Sequence, residues 1–236
     1  MFLDIEDLHC RIAATNILRS CSLGVAKKEI VCLIGRNGAG KSSILKSVIG
    51  LYPSRMGRII FDDQDITHLT SHERVKAGIA YAPEDSRLFP ELTVEENIQL
   101  GTWITSKTER AGSFNLEKAF HIFPAINKLT KRRADTLSGG EKKMVSISRA
   151  LALSPSLVLL DESFEGLSPL VVSAFSEAMG SIKKDLGASI LLAESNVHNA
   201  AQVAERSYII ERGEIIFEGQ PSEILKDEQL LKLVGK

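Results

Sequence analysis

Short apolar runs alternate with amphipathic stretches along most of the chain. Strand-like segments fall around Leu3 to Leu8, Glu29 to Ile34, Arg58 to Phe61 and Ile79 to Ala82. Helical spacing follows the second of these over Lys41 to Ile49, closed by Gly50, and precedes the fourth over Ser71 to Ala77, closed by Gly78. The middle of the chain has a different character. Thr93 with Glu96 predicts a capping box into a helix over Glu95 to Trp103, and a further helix is predicted over Leu116 to Ile122. A long helix runs from Ser138 towards Leu153, and Leu157 to Leu160 is then a fully apolar strand of the kind buried in a parallel sheet. Strand and helix alternate again through Pro169 to Leu186, Ser189 to Ala193, Asn196 to Ala204, Tyr208 to Glu211 and Glu214 to Glu218. The last two flank Arg212-Gly213 as a hairpin. The pattern predicts one α/β domain over residues 1–236 with a helical subdomain at about residues 90–152.

Charge and composition narrow the options. With 29 Lys+Arg against 30 Asp+Glu, the net charge of -1 gives no non-specific grip on nucleic acid or anionic lipid. The longest apolar runs are strand-length, so the chain is not expected to span a membrane. Its start, Met1-Phe2-Leu3-Asp4-Ile5-Glu6-Asp7, is acidic and lacks the basic region and apolar run of a secretory signal, which predicts a cytoplasmic protein. Cys10, Cys21 and Cys32 form no CxxC and are odd in number, so they read as small apolar residues.

The chemistry concentrates in three places. Gly35-Arg36-Asn37-Gly38-Ala39-Gly40-Lys41-Ser42 fits GxxxxGK[ST] between a predicted strand and a predicted helix. Glycines there let backbone N–H groups curl round phosphate oxygens, and the helix directs its positive end at them. Lys41 reaches the β- and γ-phosphates and Ser42 ligates Mg²⁺, with Ser43 beside it in the same binding set. Leu157 to Leu160 carries Asp161 and Glu162 to the carboxyl end of a buried strand, where α/β sheets bind ligands. Asp161 is suited to the Mg²⁺ shell, and Glu162 to orienting or deprotonating an attacking water. The third place is Leu137-Ser138-Gly139-Gly140-Glu141. Here Ser138 and Glu141 form a capping box while the glycines leave backbone N–H groups bare for an anion. The P-loop already cradles its own nucleotide, so this second anion site predicts a γ-phosphate arriving from another subunit.

Taken in order, these motifs resemble those of the ABC ATPase family, and the resemblance spans essentially the whole chain. It implies a P-loop NTPase core with an antiparallel β subdomain and a helical subdomain carrying the signature, two such domains sandwiching two ATPs. Ser138, Gly139 and Gly140 would then contact the nucleotide held on the partner's P-loop. Tyr81-Ala82-Pro83-Glu84, followed by Leu88-Phe89-Pro90 and Thr93 to Asn97, resembles the loop that couples nucleotide to permease. That wording, with Gly166-Leu167-Ser168-Pro169, is most similar to the ATPases of branched-chain amino acid, amide and urea importers. The implied cofactors are ATP and Mg²⁺. The implied partners are a second ABC ATPase subunit, identical or paralogous, transmembrane permease subunits and, indirectly, an extracytoplasmic solute-binding protein, with no nucleic acid. The implied place is the cytoplasmic side of the cell membrane.

Several positions depart from the family pattern. Glu84 stands where Gln is usual, and its carboxylate can still ligate Mg²⁺ but repels a γ-phosphate. The aromatic residue that stacks on adenine falls at or near Ile12, and no Tyr, Phe or Trp lies between Leu3 and Ile34. The switch histidine, a catalytic residue of the family, falls at Ser195, with His198 as a candidate substitute; Ser163 replaces the Pro that usually follows Glu162. These changes raise an alternative, a nucleotide-binding regulatory partner with impaired hydrolysis in a heterodimeric complex. A GTPase is disfavoured because Asn127-Lys128-Leu129-Thr130 lacks the aspartate that reads guanine. A soluble ABC protein acting on ribosomes or DNA is disfavoured because the chain has neither a second cassette nor a long coiled-coil insertion.

Overall fold

A computed structural model describes residues 1–105 and 116–235 of the protein. Its first strands, β1 (Leu3–Ile12) and β2 (Thr15–Val25), pair antiparallel, and β1 also pairs with β4 (Ser54–Phe61), which is joined by the short β5 (Gln64–Asp65). A second, mostly parallel sheet is built from β3 (Ile30–Ile34), β6 (Ile79–Ala82), β7 (Leu157–Asp161), β8 (Ser189–Glu194), β9 (Arg206–Glu211) and β10 (Glu214–Gly219). Among the described residues its order is β10-β9-β3-β8-β7-β6, and only the β9–β10 pair is antiparallel. Arg212 and Gly213, both with positive φ, make the tight turn between those two strands.

Alternation along the parallel strands divides the interior in two. Cys32, Ile34, Val158, Leu160, Ile190 and Leu192 face one core, shared with α3 (Val94–Thr105), α4 (Leu116–Ile122), α5 (Gly139–Leu151), α6 (Pro169–Leu186) and α7 (Val197–Val203). Val31, Leu33, Leu157, Leu159 and Leu191 face the other, against α1 (Lys41–Val48) and the antiparallel sheet. Both faces being covered explains why these strands read as continuous apolar runs. Removing one such side chain, Leu159→Ala for instance, costs about 2–5 kcal/mol.

The helix α2 (Ser71–Ala77) starts on a Thr70/Glu73 capping box and ends at Gly78, whose φ of 114° suits glycine. From it the buried Arg74 reaches back to α1. Its Nη1 donates to the carbonyls of Ser47 (2.6 Å) and Val48 (2.9 Å), its Nη2 to Thr67 (2.8 Å) and its Nε to Leu69 (3.0 Å). A guanidinium thus satisfies carbonyls that the end of α1 leaves open.

Some elements were not visible in the sequence pattern. The strand β2 carries Thr15, Asn16, Arg19 and Ser20 on exposed positions, and register shifts against β1 break its alternation. Short 3-10 turns occupy Pro124–Leu129 and Ala134–Thr136. The chain closes with α8 (Pro221–Lys226), capped by Gln220 and Glu223, and α9 (Glu228–Val234), capped by Asp227. The three cysteines are buried, and Cys21 Sγ donates to the Gly213 carbonyl.

Candidate functional site

Sheet register brings the motifs together. Ile34 lies beside Glu194 and Asp161 beside Ala193, so the P-loop, the Asp161-Glu162 turn and Ser195 leave neighbouring strands at one edge. In the P-loop, Gly38 and Gly40 have φ of 81° and 117°, which a residue with a Cβ rarely adopts. Gly35 is required by space, since a Cβ there would sit 2.5 Å from the Ile210 carbonyl oxygen. Gly40 caps α1 without a side-chain bond, leaving the first amides of the helix to face the cleft.

A cleft of about 430 Å³ lies over this loop, and Asn37, Gly38, Gly40, Lys41, Ser42, Ser43, Glu84 and Glu162 line it. Arg36 and Ala39 belong to the loop's turn, where the Ala39 N–H donates to the Arg36 carbonyl. Lys41 is buried; its Nζ donates to the Gly35 carbonyl (2.7 Å) and Ser195 Oγ (3.0 Å), and lies 2.8 Å from Glu162 Oε1. Ser42 Oγ donates to Asp161 Oδ1 and the Tyr81 hydroxyl to Asp161 Oδ2, both at 2.8 Å. Burial, then the Asp161 charge, pushes the Tyr81 hydroxyl pKa upward, so it stays a donor.

Glu162 adopts a φ of 46°. Residue 195 holds both of its carboxylate oxygens, the Ser195 hydroxyl on Oε1 at 2.7 Å and the Ser195 N–H on Oε2 at 3.2 Å. The same hydroxyl lies 2.9 Å from Asn37 Oδ1, so its single proton serves one of the two acceptors. Beneath this, the buried Glu194 accepts from the Phe164 N–H at 2.9 Å. Burial, reinforced by the Glu162 charge, pushes its carboxyl pKa up to about 8. Glu84 is raised too, first by burial and then by the charges of Glu165, Asp161 and Glu162.

Two groups of expected residues lie elsewhere. Ser138 starts α5 in a capping box with Glu141, and a Cβ added at Gly139 would meet nothing within 4 Å, so this helix start is open. Ser138, Gly139 and Gly140 do not line the cleft over the chain's own P-loop. Ile12 sits at the end of β1, 40% exposed, and does not line the cleft either. Ile17 does, because β2 turns back past the P-loop and its Leu18 packs against Gly40. The apolar side chain that this part of the chain brings to the cleft is therefore Ile17 and not Ile12. His198 is exposed on α7.

A family model for ABC transporters matches residues 18–165, more than half of the chain. The chain belongs to the ABC transporter family. It is 34% identical over 92% of its length to a probable branched-chain amino acid transport ATP-binding protein, LivF of Archaeoglobus fulgidus, covering 92% of that protein. It is also 36% identical over 92% of its length to LptB, the lipopolysaccharide export system ATP-binding protein of Escherichia coli, covering 90% of it. The ADP conformation of a solved ATP-binding cassette of an ABC transporter superposes on the whole chain with a TM-score of 0.85 at 26% identity, 99% of that cassette being covered. The protein is thus an ABC ATPase, binding and hydrolysing ATP to drive transport.

Two side chains at this ABC ATPase's site have no place in the sequence motifs: Ile17, which lines the cleft, and Lys143, which reaches the Glu162 carbonyl from α5. Tyr81 belongs to the Tyr81-Ala82-Pro83-Glu84 motif, but its bond to Asp161 was not expected; its polar tip in the strand Ile79–Ala82 is the signal for it.

Proposed function

We propose that the protein energises the import of a small solute, such as a branched-chain amino acid, through separate permease subunits at the cytoplasmic side of the cell membrane. In this reading the chain is one ABC ATPase domain with a helical subdomain at about residues 90–152, and it works as one of two ATPase subunits. The likeness to LivF supports the cargo class. The convergence of Lys41, Ser42, Asp161 and Glu162 at one sheet edge carries the chemistry.

Ser42 Oγ and the Asp161 carboxylate present hard oxygens 2.8 Å apart, with Glu84 also on the cleft, a donor set that suits Mg²⁺. An Mg²⁺ ion held by these residues would supply positive charge against the charge that develops on the transferred phosphoryl group. Lys41 turns from Glu162 to the β- and γ-phosphates, joined by N–H groups of the loop from Gly35 to Gly40 and by Ser43. Glu162, relieved of the ammonium, orients and deprotonates the attacking water while Ser195 keeps its carboxylate in place. Ser138, Gly139 and Gly140 act on the ATP of the second subunit, whose phosphate meets the open start of α5. The exposed Phe89, Trp103 and Ile104 face the permease.

The likeness to LptB favours a second reading, in which the same ATPase drives export. Reconstitution separates the two. The chain and the permease that co-purifies with it are placed in proteoliposomes with a solute-binding protein and labelled leucine. ATP-dependent accumulation of leucine is the expected result. ATP-dependent release of lipopolysaccharide without any uptake of amino acid would replace import by export.

A further inference from the structure

Lys143 has no part in the phosphate, metal or signature motifs, yet it reaches the centre of the site. It lies on α5, just beyond the capping box of Ser138 and Glu141, and its half-buried side chain reaches the turn after β7. Its Nζ donates to the backbone carbonyl of Glu162 at 2.5 Å and to that of Glu165 at 2.8 Å. Both carbonyls belong to the turn that leaves β7. Glu162 enters that turn in the left-handed region, which disfavours any residue with a Cβ and needs its surroundings to hold it. The Glu162 N–H is held by the Ala193 carbonyl at an ordinary 3.0 Å, but the Glu162 carbonyl receives only a long backbone bond, from the Glu165 N–H at 3.3 Å. The shortest bond to the Glu162 carbonyl is therefore the one from Lys143.

Charge gives a second reason for an ammonium at this place. Burial lowers the Lys143 pKa, and the charges of Glu194, Glu165, Glu162 and Glu84 around Nζ work in the other direction. Glu84 is raised by burial and by its acidic neighbours, and Lys143 acts in the opposite direction. A neutral side chain here would leave the carbonyls without their cationic donor and the acids without a nearby counter-charge.

We propose that Lys143 is a positioning residue for ATP hydrolysis: by clamping the carbonyls of Glu162 and Glu165 from the signature helix, it sets the direction in which the Glu162 carboxylate leaves β7 towards the P-loop. The proposal rests on the reading of Glu162 as the group that handles the attacking water. A displacement of that carboxylate by about 1 Å is enough to cost roughly a hundredfold in rate.

The test measures turnover, ATP affinity and melting temperature of the full chain in its transporter complex for Lys143→Met, Lys143→Arg, Glu162→Gln and the Lys143→Met/Glu162→Gln double variant. Lys143→Met should lower kcat roughly 10- to 100-fold while ATP affinity stays within about twofold and the melting temperature within about 3 °C. Lys143→Arg, whose fork can span two carbonyls, should recover most of the rate. On the Glu162→Gln background, Lys143→Met should change the residual rate by less than about twofold, because its effect passes through the carboxylate. Full turnover in Lys143→Met, equal loss in Lys143→Arg, or an undiminished further loss on the Glu162→Gln background would each overturn the positioning role while leaving Glu162 as the base. Wild-type turnover in Glu162→Gln would instead remove the base reading, and this proposal with it. If Lys143→Met does not fold, Lys143→Gln takes its place with the same expected split.

Discussion

Lys41 and Glu162 form a buried ion pair across the nucleotide cleft, Nζ to Oε1 2.8 Å, with only 4% and 6% of the two side chains exposed. A phosphate group that reaches Lys41 has to take the place of the Glu162 carboxylate. Under the proposed function this exchange would join binding to catalysis, because the step that captures the phosphates would also release Glu162 to act as the base.

Glu162→Gln removes the competing charge and keeps the shape. ATP should bind about tenfold more tightly, a gain of about 1.4 kcal/mol, while turnover falls by a factor on the order of 10² to 10⁴. Titration with a fluorescent ATP analogue and single-turnover hydrolysis measure the two effects. Unchanged or weaker binding would mean that Glu162 does not compete for Lys41.

Ser195→Ala removes the hydroxyl that holds Glu162 Oε1 and leaves the backbone N–H on Oε2. A hydrogen bond to a charged group contributes about 1.5–3 kcal/mol, so kcat should drop roughly tenfold or more with little change in ATP affinity. Rates equal to wild type would show that the backbone contact alone fixes the carboxylate.

Glu194 makes stability depend on pH. Its carboxyl moves from an ordinary 4.5 to about 8 on folding because burial disfavours the charge. The folded protein therefore holds a proton that the unfolded chain has released between those values. The contribution is fully present below about 4.5 and is lost as pH rises through about 8, by at most about 1.4 kcal/mol per pH unit. Glu194→Gln keeps an acceptor for the Phe164 N–H and carries no charge. Its melting temperature should match wild type near pH 5 and exceed it by several degrees near pH 8. A difference independent of pH would show that Glu194 is ionised throughout.

Arg74→Met should destabilise the protein by about 3 kcal/mol, because it strips the guanidinium from buried carbonyls of Ser47, Val48 and Thr67. Urea unfolding of the full chain measures it. A loss below about 1 kcal/mol would mean that water replaces the guanidinium at the end of α1.

The elements that surround the site were legible because their signals are local. The apolar runs of β7 and β8, the capping box of Thr93 and Glu96 and the Arg212-Gly213 turn each follow from a few adjacent residues. The P-loop was legible for the same reason: its glycines are demanded by the φ of Gly38 and Gly40 and by the close approach of Gly35 to Ile210. What the sequence did not display depends on distant partners. The strand β2 gains its burial from pairing with β1, Ile17 reaches the cleft only through that pairing, and Tyr81 finds Asp161 across a parallel register. Lys143 was hidden in a charged pair with Lys142 that looks like a solvated helix face until α5 is docked.

Arg74 gives α1 a property beyond stability. The helix opens on the amides after Gly40 and closes on carbonyls that already hold a buried cation, so its negative pole is answered from within the fold. Its positive pole is left for an anion. The protein therefore carries half of an electrostatic circuit through α1, and a phosphate at the P-loop completes it without drawing on solvent or on a second side chain at the far end.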